Sequence, residues 1–140
     1  MFNKIMVPVD LAHLKVIEPS LQAAADMAHY YQAEVCYVGV TAVTPGSVAR
    51  TPEEYAQKLE AFAQARGKIH GQPVSSKTIS RVDPTADLVD TLVEAIDQVG
   101  ADLVVMPTHA PHHLDIVMPA NGSQVASRTD ASIFLVRPPQ

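Results

Sequence analysis

Solid apolar blocks of four to seven residues alternate along this chain with longer stretches whose apolar positions recur at helical spacing. Lys4-Ile-Met-Val-Pro-Val9 is the first block, and its β-branched content predicts a buried strand. Pro8 has no N–H for a ladder, which places it at the end of that strand or at an edge. A polar connection follows from Asp10 to about Ile17, and Glu18 to Tyr31 reads as a helix with Pro19 in its first turn. Leu21, Ala24, Ala25 and Ala28 give that helix a small apolar face suited to packing on a sheet. Glu34 to Val40 is a second buried strand. Thr51-Pro52-Glu53-Glu54 combines a cap, a proline at the first helical position and a glutamate three residues past the cap. Tyr55, Leu59 and Phe62 then share one face, with Gly67 or Gly71 as the stop. Val74 to Val82 alternates imperfectly and predicts a third strand. Asp83-Pro84 repeats the cap-plus-proline start, and Leu88, Leu92, Ile96 and Val99 carry an apolar stripe to Gly100. Leu103 to Met106 is a fourth strand, Gly122 to about Thr129 a short helix, and Ser132 to Val136 a fifth strand closed by Pro138-Pro139.

Strands alternating with helices predict an α/β fold: a single-domain, open, mostly parallel five-stranded sheet over residues 1–140, Rossmann-like, with helices on both faces. In such sheets ligands bind beyond the carboxyl ends of the strands, where the strand order reverses. Here those ends follow Val9, Val40 and Met106.

Composition narrows the function classes. A net charge of −5 argues against a nucleic-acid partner, which would require a basic face. The single cysteine, Cys36, lies in an apolar strand; it cannot pair within the chain and reads as inert core, which fits a reducing, cytoplasmic setting. The opening segment is too short for a signal peptide's apolar run, and no stretch reaches the ~18 apolar residues of a membrane span.

Three segments carry a family resemblance. Ile5-Met-Val-Pro-Val-Asp10 resembles the opening strand of universal stress proteins, which ends in Pro-x-Asp. Ala101 to His109 resembles their fourth strand and its turn, and Asn121 to Arg137 resembles their last helix and strand. The likeness spans essentially the whole chain in the right order. It implies a nucleotide alpha hydrolase-like sheet and a regulatory module that binds an adenine nucleotide, ATP or AMP, with Mg if ATP, at Pro8, Val9, Asp10, Val40, Met106, Thr108, His109, Gly122, Ser123, Gln124 and Val125. It further implies a homodimer through the last strand, and a regulatory protein or a transporter as partner.

The phosphate end departs from the family pattern Gly-x2-Gly-x9-Gly-Ser/Thr. Glycines there let the backbone approach phosphate, and a helix N-terminus offers its N–H groups. Pro107 stands at the first glycine and Ala110 at the second, the segment to Gly122 is longer, and only Gly122-Ser123 is intact. A subgroup with His-x-Pro at this turn resembles His109-Ala-Pro111. An alternative is therefore a dimeric interaction protein of the same fold that binds no nucleotide.

Other chemistry is thinner. Asp10 suits a ribose hydroxyl or, more simply, the amides of its own turn. Ser123 suits a phosphate or a helix cap, which are physically the same place. His109, His112, His113 and Asp115 have metal-like spacing only if helical, and Pro111 and Pro119 oppose that, so solvated histidines are the reading taken. The loop from Thr41 to Arg50 is suited to lid a pocket or to meet a partner, and otherwise reads as mobile. No Gly-x4-Gly-Lys-Ser/Thr and no Gly-x-Ser-x-Gly occurs, so no catalytic residue is assigned, and a slow ATPase is the most that an enzymatic reading allows.

Overall fold

The computed structural model describes residues 1–108 and 122–137. Along them run β1 (Lys4–Pro8), α1 (Leu14–Tyr31), β2 (Glu34–Ala42), α2 (Pro52–His70), β3 (Val74–Arg81), α3 (Leu88–Val99), β4 (Leu103–Pro107), α4 (Gly122–Ala126) and β5 (Ser132–Val136). The strands form one sheet in the order β3-β2-β1-β4-β5, and every neighbouring pair is parallel. All five carboxyl ends therefore lie along one edge, and the order reverses between β1 and β4.

The continuous apolar runs are explained by burial on both faces. Ile5, Val7, Val35, Tyr37, Leu103 and Val105 point to the side covered by α1 and α2. Met6, Cys36, Val38, Val104 and Met106 point to the opposite side, under α3 and Val125 of α4. No helix among the described residues is long and apolar enough to cross a membrane.

Two helix starts differ from the sequence expectation. α1 begins at Leu14 rather than Glu18, which leaves Pro19 inside the helix. Leu14, Ile17, Leu21, Ala24 and Ala28 form one stripe against the core, and its burial outweighs the hydrogen bond that Pro19 cannot donate. α3 begins at Leu88 and not at Asp83-Pro84. Asp83 does cap, but only a turn: its Oδ1 accepts the Ala86 N–H at 3.3 Å. Thr85, Ala86 and Asp87 are exposed, so burial reinforces the helix only from Leu88 onward. By contrast α2 starts as the sequence predicts, with Thr51 Oγ1 accepting the Glu54 N–H at 3.1 Å, and ends on Gly71 at φ 73°.

The two strands beside the reversal both end in proline. Val9 N–H donates to Val38 O at 2.8 Å, toward β2, and Thr108 N–H donates to Val136 O at 2.9 Å, toward β5. Backbone groups of successive strand residues point to opposite neighbours. The nitrogens of Pro8 and Pro107 therefore both point into the β1–β4 boundary, where neither offers a donor. The register of that boundary runs Ile5↔Leu103 and Met6↔Val104.

Candidate functional site

Asp10 is the first polar residue past the end of β1. Its carboxylate is held by its own turn: Oδ1 accepts the Ala12 N–H at 3.0 Å, and Oδ2 lies 2.6 Å from His13 Nδ1. The Asp10 side chain is 12% exposed and the His13 side chain 34%. A carboxylate only accepts, so the proton of this contact sits on Nδ1.

Beside Asp10, over the end of β2, opens a cleft of about 280 Å³. Val40 and Thr41 of β2, Ser47 and Val48, Tyr55 of α2 and Thr85 are among the residues that line it. The segment expected as a mobile loop or lid is thus a wall of the cleft. A bond from Gly46 N–H to Ala49 O at 2.9 Å shapes it from within, and Lys58 Nζ of α2, donating to Val48 O, ties it down.

Tyr55 shapes the cleft because Gly39 lets it. A Cβ on Gly39 would stand 2.6 Å from the Tyr55 ring and 2.8 Å from its hydroxyl oxygen, so only glycine allows the ring to lie on β2. Burial, and secondarily the Asp10 carboxylate, push the Tyr55 phenol up to about 12, against a hydrogen bond from the Leu11 backbone. At neutral pH the ring is therefore an uncharged wall.

Of the residues singled out in the sequence, Asp10 and Val40 meet in this cleft. Pro8 and Val9 are buried behind Asp10. Met106 is fully buried in the core under α3, and Val125 is buried beside it. Thr108 is half-buried at the end of β4, across the proline-lined boundary from Asp10. Gly122 packs on β5, where a Cβ would meet Leu135 at 2.4 Å, and Leu135 pairs in register with Met106 near the carboxyl edge. Ser123 and Gln124 are exposed at the start of α4. Asp10 and Gly122-Ser123 thus occupy the same edge of the sheet, on opposite sides of the strand reversal. His109 and the rest of the histidine cluster, His112, His113 and Asp115, lie outside the described residues, and among the described residues no group of three metal-ligating side chains occurs.

Sequence reasoning missed His13, Gly39 and the role of Tyr55. His13 falls in the segment read as a polar connection. Tyr55 was visible only as one member of a helix face, and its partner, Gly39, sits in a strand whose pairing with α2 is a tertiary fact.

The comparisons with known proteins accord with this architecture. The family model described as the universal stress protein family matches residues 1–137. A solved universal stress protein in complex with cAMP is 19% identical, with 99% of each chain covered and a TM-score of 0.64. The universal stress protein from Archaeoglobus fulgidus in complex with dAMP is 18% identical over 95% of this chain and 96% of that one, with a TM-score of 0.63. A universal stress protein family protein from Arabidopsis thaliana with AMP bound is 12% identical over 98% of this chain and 92% of that one, with a TM-score of 0.63. A comparison with curated proteins finds no match.

Proposed function

The chain belongs to the universal stress protein family, and on that premise we propose that it is a regulatory module that binds an adenine nucleotide at the carboxyl edge of its sheet. The observation that carries this reading is the 280 Å³ cleft, largely apolar, with the fixed Asp10 carboxylate at its rim. An apolar pocket with a few convergent polar groups suits a base and its sugar. Asp10 then takes a ribose hydroxyl and Val40 lies against the base, while the start of α4 at Gly122-Ser123 receives the phosphates. Related structures that hold cAMP, dAMP and AMP support the choice of an adenine nucleotide. Either AMP or ATP suits this reading, with Mg accompanying ATP, and the module acts in the cytoplasm through a regulatory protein or transporter partner.

The test is calorimetric titration and thermal unfolding with ATP, ADP and AMP. A ligand at 100 times its dissociation constant stabilises the fold by about 2.7 kcal/mol. No response at millimolar nucleotide overturns the proposal.

A second reading, a dimeric interaction protein without nucleotide, draws on two observations. Pro107 offers no N–H where the family pattern has a glycine, and β5 leaves Phe134 43% and Leu135 40% exposed on an edge strand. It predicts a dimer by sedimentation and no excess absorbance near the nucleotide band in purified protein. Dimerisation through β5 is compatible with both readings.

A further inference from the structure

We propose that His13 sets the hydroxyl selectivity of the cleft, acting through Asp10 as a positioning residue. This rests on the reading that the cleft takes a nucleoside.

His13 occupies the N-cap position of α1, where a side chain ordinarily accepts a hydrogen bond from the first turn. Its side chain makes no such bond. The ring is turned instead onto Asp10, with Nδ1 2.6 Å from Oδ2, so the contact serves the carboxylate rather than the helix. A carboxylate has two oxygens with about four lone-pair positions. The Ala12 amide takes one position on Oδ1 and the His13 ring takes one on Oδ2. Among the described residues nothing else bonds the carboxylate, so each oxygen keeps one position for a ligand, an arrangement suited to a vicinal pair of hydroxyls.

Asp10 is also the one formally charged side chain among the described residues lining the cleft. The cleft therefore attracts uncharged donors and disfavours a phosphate at this spot. Without His13 only the Ala12 amide, among the described residues, restrains the carboxylate, and a carboxylate free to rotate would meet a diol with one oxygen as readily as two. Pre-organised acceptors discriminate because they spend no ordering free energy on binding.

The experiment compares adenosine with 2′,3′-dideoxyadenosine, by titration into the intact protein and into H13A and H13N. In wild type, adenosine should bind roughly tenfold more tightly than the dideoxy compound, the size of a hydrogen bond to a charged acceptor. In H13A that ratio should fall to about twofold or less, since the carboxylate is no longer fixed. In H13N the asparagine amide reaches the place of Nδ1, and the ratio should return. The ratio is the readout that matters, because a merely structural role would weaken both ligands together and leave it unchanged. A preserved ratio in H13A, or equal weakening of both ligands, overturns the role of His13 alone. Failure of wild type to bind adenosine, AMP and ATP overturns the nucleotide reading and this proposal with it. Should H13A fail to fold, a ring-nitrogen NMR spectrum of the intact protein decides: a His13 Nδ1 without a proton overturns the proposal.

Discussion

The two flanks of the β1–β4 boundary use the same packing device to different ends. On the β1–β2 flank, Gly39 admits the Tyr55 ring onto the sheet, and a walled cleft results. On the β4–β5 flank, Gly122 admits the Leu135 side chain, yet Phe134 and Leu135 themselves stay 43% and 40% exposed. One flank is completed within the chain, by a helix and a tethered loop. The other ends in an edge strand with apolar side chains facing outward, a surface that proteins ordinarily cover or blunt. Among the described residues, a close glycine contact thus gives a walled cleft only where a helix and a loop also line it.

Removing the aromatic ring on each flank tests this contrast. Tyr55→Ala should destabilise the fold by about 3–5 kcal/mol in urea unfolding, as for other large buried aromatics, and should abolish nucleoside binding. A loss below about 1 kcal/mol would mean that the ring closes the cleft without supporting it. Alkaline titration probes the same ring. The Tyr55 phenol is raised from 10.0 to about 12 in the folded state, so the unfolded chain releases this proton first. Its contribution is complete below pH 10 and is lost as the pH rises toward 12, by about 2–3 kcal/mol in all. The slope of stability against pH in that window should shrink in Tyr55→Phe; an unchanged slope would assign it to other groups. Gly39→Ala forces the ring aside and should cost about 1–3 kcal/mol, with weaker ligand binding as a second readout. Phe134→Ala, on the open flank, should change the stability of a monomer by only about 0.5 kcal/mol. A larger loss that grows with protein concentration would break the contrast, since it would show that β5 is covered in solution.

The fold was legible because its signals are local. The apolar runs of β1, β2, β4 and β5 can be read within a few residues, and the Thr51-Pro52 start of α2 and the glycine stops at Gly71 and Gly100 are satisfied by neighbours in the chain. The misplaced helix starts arose where a local cue competed with burial: Pro19 suggested a first turn although Leu14 and Ile17 already pack on the core. At Asp83-Pro84 the cap motif is real but closes only a turn. Asp10 and Val40 were legible as strand-end residues. His13 and Tyr55 were not, because His13 matters through its contact with a side chain three residues back, and Tyr55 through a glycine on another element.

The paired prolines at the ends of β1 and β4 have a consequence of their own. The seam between these strands parts at the level of the main chain, because neither Pro8 nor Pro107 carries the hydrogen that would stitch it further. The parting of the two strands therefore does not depend on the side chains along its rims. A sheet whose seam parts in this way can carry different side chains along its rims without being rebuilt.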